Sequence, residues 1–152
     1  MKKIIIITML VLMAGTCLAD ECWVLCQPDS YVNVRESASR KSSVIGMYTC
    51  GDKLYTDGET KNGFIHCVNL ALELTEGWVH SGYIVYDEPY YPGFQDATIS
   101  SKGRVACRRT INGDRRCWAK NGTEIKVYMM SYEWSVTNKG FIKTEYIERS
   151  LK

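Results

Sequence analysis

Gly77-Trp78-Val79-His80-Ser81-Gly82-Tyr83-Ile84 is answered 63 positions later by Gly140-Phe141-Ile142-Lys143-Thr144-Glu145-Tyr146-Ile147. Working outward from this pair, Val32-Asn33-Val34-Arg35 lies over Val105-Ala106-Cys107-Arg108, and Cys50-Gly51-Asp52-Lys53-Leu54 lies over Asn121-Gly122-Thr123-Glu124-Ile125. The offset falls from 73 through 71 to 63, so the first copy carries extra loop residues, mainly around Asn69 to Glu76. Similarity in one order on both sides of the chain is the mark of a duplicated structural unit.

Within each copy the segments are short and divided by turn residues. Val44 to Cys50 and Leu54 to Asp57 are joined by a Gly-Asp step, Asn62-Gly63 closes the next hairpin, and Asn112-Gly113 and Asn121-Gly122 serve the second copy. Ten Tyr, four Trp and twelve Gly in 152 residues favour strands and tight turns, and no segment beyond the N-terminus has a helical period. The expected class is all-β. Between the copies, Tyr86 to Asp96 holds two prolines and a glycine that interrupt any strand period. The chain divides into 1–19, 20–86, a linker 87–97, and 98–152.

Residues 1–19 read as a cleaved export signal: Lys2 and Lys3, an apolar run from Ile4 to Ala14, then small residues. The run is too short for the roughly 20 residues of a membrane-spanning helix. Cleavage after Cys17-Leu18-Ala19 gives a periplasmic or secreted protein. Lipidation of Cys17 is the alternative, with Ala14-Gly15-Thr16 a poor lipobox. Six cysteines follow, Cys22, Cys26, Cys50, Cys67, Cys107 and Cys117, an even number that reads as a disulfide framework in an exported chain. Cys22 and Cys26 lack the second close pair that a zinc site needs, so no metal and no cofactor is expected.

Without Lys2 and Lys3 the chain holds 17 basic and 17 acidic residues. They are unevenly placed: 12 acidic and 5 basic over 20–97, against 5 acidic and 12 basic over 98–152. Lys102, Arg104, Arg108, Arg109, Arg115, Arg116 and Lys120 fall within 19 residues opposed only by Asp114, a candidate anion or partner patch. No Gly-x-Ser-x-Gly, His-Glu-x-x-His or phosphate-binding glycine loop is present, and His66 and His80 are the two histidines. Two small β units offer no deep cleft for raising a carboxylate pKa, so the chain is not expected to be an enzyme. An exported, near-neutral chain without a stacking motif is not expected to bind nucleic acid.

Tyr31-Val32-Asn33-Val34-Arg35-Glu36-Ser37, Ser43-Val44-Ile45-Gly46-Met47-Tyr48, the Cys50-Gly51-Asp52-Lys53 turn, Asn62 to His66 and Gly77 to Ile84 resemble a bacterial SH3-like (SH3b) domain over most of 22–86. Residues 103–148 resemble a diverged second copy. The resemblance implies two tandem small SH3-like β-barrels, of a kind commonly attached to cell-wall enzymes as targeting modules. It places ligands in a groove beside the first long loop, making Tyr31, Asn33, Arg35, Tyr48 and Trp78 candidate ligand residues, and it implies a cell-wall peptide or another envelope component as partner. The alternative is a secreted protein–protein adaptor or inhibitor that uses the basic hairpin at Arg104, Arg108, Arg109, Arg115 and Arg116.

Placing Val34 over Cys107 and Gly46 over Cys117 sets those cysteines on facing strands, where they are expected to pair. Of the three pairings open to the first copy, the same register favours Cys26 with Cys50 and Cys22 with Cys67. Cys22 and Cys26, about 13 Å apart if extended, exceed the reach of a bridge. Tyr90, Tyr91 and Phe94 in the linker either pack the copies together or stand exposed, and the sequence leaves this open.

Overall fold

The computed structural model describes residues 19–71 and 75–149. The segment read as an export signal, Cys17 included, lies outside the described residues but for Ala19. Regular structure here is fifteen strands and two single 3-10 turns, with no α-helix among the described residues. The first half forms β1 (Asp20–Val24), β2 (Tyr31–Arg35), β3 (Val44–Thr49), β4 (Lys53–Thr56), β5 (Thr60–Lys61), β6 (Phe64–Asn69), β7 (Thr75–His80) and β8 (Ile84–Val85). The second forms β9 (Gln95–Ile99), β10 (Val105–Arg108), β11 (Arg115–Ala119), β12 (Glu124–Met130), β13 (Trp134–Thr137), β14 (Gly140–Lys143) and β15 (Ile147–Arg149). Gln95 to Ala97, read from sequence as linker, therefore begin the second sheet.

The strand order is β3-β2-β7-β6-β4-β1-β8 in one sheet and β11-β10-β14-β13-β12-β9-β15 in the other. Position by position these are the same topology, so the duplication seen in sequence is a duplication of strand pairing. Neither ladder closes through hydrogen bonds: β3 and β8 end one sheet, β11 and β15 the other.

Two details repeat as well. In β2–β3, Val34 faces Gly46 but Arg35 faces Val44, leaving Ile45 as an extra residue; in β10–β11, Cys107 faces Cys117 but Arg108 faces Arg115, leaving Arg116 extra. A bulge of this kind bends the strand and re-aims the residues beyond it. It is why the apolar alternation along Val44, Gly46 and Tyr48 is weak in the sequence. The second repeated detail is the glycine that opens each closing motif. A Cβ on Gly77 would lie 2.7 Å from the Arg35 carbonyl oxygen, and one on Gly140 would lie 2.4 Å from the Arg108 carbonyl oxygen. Only a residue without a side chain lets those strands meet at this spacing.

Each sheet encloses its own apolar cluster. Val24, Val34, Tyr48, Leu54, Ile65 and Val79 are among the buried residues of the first, and Ile99, Val105, Ile125, Val127 and Ile142 of the second. A third cluster joins the halves: Leu25 and Val85 from the first pack with Met129, Trp134, Val136 and Phe141 from the second. This explains why all four residues of β13 are buried, since one side of the strand faces its own core and the other faces the neighbouring half. Ser135 and Thr137 are buried there at no loss, because Ser135 shares a 2.8 Å hydrogen bond with Thr144 and the Thr137 hydroxyl donates to the Gly140 carbonyl. The linker aromatics remain largely exposed, yet Tyr90 pairs through its backbone with Met130 and Phe94 meets the Tyr128 ring edge-on at 5.3 Å.

Cys26 and Cys50 are bridged, with α-carbons 5.3 Å apart. Cys22 with Cys67 and Cys107 with Cys117 stand as thiols, so the bonds expected from sequence at these pairs are not present in this structure. Their placement nevertheless sets them together: Cys107 lies directly opposite Cys117, and the Cys22 and Cys67 thiols share a hydrogen bond in the first core. Burial and the neighbouring sulfur push the Cys107 thiol up to about 12, so it is a protonated, weakly reactive group at neutral pH. Oxidation of the purified protein is expected to close both pairs, and closing the short loop at Cys107 and Cys117 would contribute on the order of 2–3 kcal/mol. Non-reducing peptide mapping checks this: a link from Cys107 or Cys117 to any cysteine of the first half would contradict the register.

Candidate functional site

Strand alternation puts Tyr31, Asn33 and Arg35 on one face of β2. Beside them on the outer face of the same sheet stand Phe64 of β6 and His80 at the end of β7, paired across the two strands, with Tyr83 in the 3-10 turn that follows. The β2–β3 loop closes one end. It is held in shape by Arg35, whose guanidinium donates to the Ser42 carbonyl at 2.7 Å, and by Asn62, whose amide donates to the Ala38 carbonyl. Arg40 of this loop reaches His80 at 3.3 Å.

The opposite wall comes from the other half of the chain. The β10–β11 loop lies against the Ser81-Gly82-Tyr83 turn, with the Ile111 N–H donating to the Gly82 carbonyl at 2.9 Å. A Cβ on Gly82 would meet the Thr110 side chain at 2.9 Å, so the loop docks where no side chain intervenes. The result is a cleft of about 820 Å³ between the sheets, into which Arg35, Arg40, Arg109 and Arg115 bring positive charge and Asp114 alone brings a carboxylate. Among the described residues none of the four arginines makes an ion pair, the salt bridges being Lys53 with Glu21 and His66 with Asp57 and Glu76. Four guanidinium groups beside a single carboxylate leave the lining net positive, which raises the local potential and favours an anion.

His80 is held below its ordinary pKa by burial and, secondarily, by Arg40. Its Nδ1 accepts from the Gly82 N–H at 3.1 Å. A neutral imidazole accepts at one nitrogen only, so this bond and one accepted from Arg40 at Nε2 exclude each other. The linkage has a definite sign. A depressed folded-state pKa means that protonation disfavours the native arrangement as pH falls below the unfolded value of about 6.5. An anion seated beside Arg40 opposes that penalty and raises the His80 pKa. Proton NMR titration of His80 is expected to give an upward shift on addition of a carboxylate ligand and affinity that increases as pH falls; an unshifted His80 would place the anion elsewhere.

The cleft gathers two sets of residues that the sequence suggested separately, Tyr31, Asn33 and Arg35 from the first copy and Arg109 and Arg115 from the basic hairpin. Two of the first set are not in it. Tyr48 is fully buried because it lies directly opposite inward-facing Val32; its hydroxyl donates to the Cys67 carbonyl and burial holds its pKa well above the usual range. Trp78 lies on the outer face of β7 against His66, ring centres 5.3 Å apart. The basic hairpin is likewise not one patch. Arg104 and Arg108 line a different groove of the second sheet, Arg108 donating to the Gly113 carbonyl as Arg35 does to Ser42, while Arg116 borders a shallow depression with Gln27. Arg40, Phe64, His80, Tyr83 and Thr110 were not picked out from sequence, and only the Gly82 step beside His80 hints at them.

No family model matches the chain and no curated protein is similar to it. Among solved structures, it is similar to NlpC1 from Trichomonas vaginalis, with a TM-score of 0.38 and 9% identity over 87% of this chain and 46% of that one. NlpC2 from the same organism gives a TM-score of 0.38 and 6% identity over 87% and 48%. The chain spans about half the length of these proteins. No helix among the described residues is long and apolar enough to cross a membrane.

Proposed function

We propose that this protein is an exported, non-enzymatic binding module built of two SH3b-like barrels, and that it holds a carboxylate-bearing cell-wall peptide in the cleft between its halves. The observation that supports this most is the set of four arginines without a counter-ion lining a cleft with one carboxylate. The exposed Tyr31 ring and the Phe64 edge give an extended chain an apolar surface beside the charges.

The test is retention of the purified protein on isolated peptidoglycan, native or with its carboxylates amidated. Retention on native material that is lost on amidation and in high salt is expected, and replacing Arg40 and Arg109 with serine is expected to weaken binding by about ten- to a hundredfold for each lost charged contact. Equal retention on both materials, or none on either, would refute the proposal. The protein–protein alternative rests on Arg116, which is exposed and lies outside the cleft; it predicts that Arg116→Ser weakens capture of an acidic envelope protein while leaving peptidoglycan retention unchanged.

A further inference from the structure

The equal strand orders of the two sheets allow each cleft position to be followed into the second half. Asn33 corresponds to Ala106 and Arg35 to Arg108, by their places on β2 and β10. The cross-strand pair of Phe64 with His80 corresponds to Trp134 with Lys143, and Tyr83 to Tyr146 in the second 3-10 turn. All five second-half residues line one groove of about 460 Å³ on the outer side of the β10–β11 hairpin. Lys102 and Arg104 complete it, so four cations face it with Arg108 and Lys143, and no carboxylate lines it. None of the four has an ion-pair partner among the described residues.

The β10–β11 hairpin contributes to both this groove and the inter-sheet cleft. Arg115 lines the cleft, Trp118 lines the groove, and the Arg115 guanidinium lies 4.6 Å from the centre of the Trp118 ring. They share a face because the bulge at Arg116 shifts Arg115 into phase with Trp118. Three residues of strand separate them, about 10 Å. Positive charge is thus continuous from Arg40 and Arg109 across Arg115 to Arg108 and Lys143, with the half-exposed Trp118 indole in its course.

We infer that the second groove is a binding site for an anionic glycan, and that one linear glycan chain bearing a negative charge on successive rings lies across both the groove and the cleft. Cations without an intervening acid suit a repeated charge better than the mixed side chains of a peptide. One face of Trp118 is taken by Arg115, which leaves a single flat surface for a sugar ring and no ladder of aromatics such as single-stranded nucleic acid uses. The spanning part of this inference rests on the cleft being an anion site; the groove itself does not.

Oligogalacturonides, with one carboxylate per ring, test it by calorimetry using a dimer and a long oligomer. The long form is expected to bind at least about tenfold more tightly, since its second contact is intramolecular. The exposed pair Lys102→Ser with Lys143→Ser, neither of which touches a cleft arginine, is expected to remove that gain and leave dimer binding at the cleft intact. Undiminished binding of the long form by this variant overturns the inference while the cleft reading stands. If Arg40→Ser with Arg109→Ser has no effect but the Lys102 and Lys143 variant loses binding, the cleft reading fails and the groove remains a site of its own. Binding of neither oligomer overturns the glycan assignment, as does displacement of the long form by a single-stranded oligonucleotide of equal charge.

Discussion

Replacing Phe141 with Ala is expected to cost about 3–5 kcal/mol, the upper range for truncating a buried aromatic. Phe141 is 2% exposed, sits in the cluster that joins the halves, and meets the Tyr83 ring edge-on at 6.1 Å. The loss should act on the joint more than on either core, because neither single-sheet cluster contains it. Chemical unfolding should therefore separate into two transitions, one for each half, where the parent protein shows one. Trp78→Ala, at the corresponding position of the first sheet, is half-buried and outside the joining cluster, and is expected to cost only about 1 kcal/mol with the single transition preserved. Equal losses for the two substitutions would mean that the third cluster is not what holds the halves together.

Gly140→Ala is expected to be the second most damaging change. Gly140 has φ +113°, where an L side chain is strained, and its Cβ would press on the Arg108 carbonyl oxygen at 2.4 Å. Strain of this type costs of order 1–3 kcal/mol before any movement of the strands. Those strands cannot separate freely, since Arg108 also supports the β10–β11 loop through Gly113. Gly77→Ala meets the Arg35 carbonyl and a Val34 methyl at 2.7 Å but has no positive φ, so a smaller loss of roughly 1–2 kcal/mol is expected. Urea midpoints of the two variants provide the comparison, and a Gly140→Ala protein as stable as the parent would contradict the packing described.

The duplication was legible in the sequence because its anchors are residues whose backbone setting is demanding. Gly77 and Gly140 must lie against a carbonyl, and the aromatic and the isoleucine that follow each keep a fixed phase with the 3-10 turn. The position of Cys107 opposite Cys117 followed from that alignment. The inward facing of Tyr48 is legible from register: with Gly46 opposite Val34, Tyr48 falls opposite Val32 and shares its side of the sheet, and the groove position that the resemblance implies for it runs against this. Closure of the barrels was an expectation of the resemblance that strand pairing alone does not supply. The cleft was illegible for a different reason. One wall is drawn from Tyr31 to Tyr83 and the other from Arg109 to Arg115, and each reads on its own as an ordinary polar strand face or a solvated charged hairpin. What brings them together is Gly82 under Thr110 and the apolar contact of Leu25 with the second sheet, neither of which has a signature in composition or spacing.

The coverage of β13 and β14 by the first half divides the duplicates into unequal heirs. Trp134, Val136 and Phe141 pack in the joint and not in their own sheet's core, so a change at any of them must suit the first half as well. Trp78 and His66, on the matching face of the first sheet, answer to solvent and to each other. Change is therefore dearer on the covered face of β13 and β14 than on the matching face of the first sheet, where new specificities have room to arise. The same asymmetry sets a limit on engineering. The first half has an outward face to modify, whereas the second, taken alone, would present a bare apolar surface where its neighbour had been.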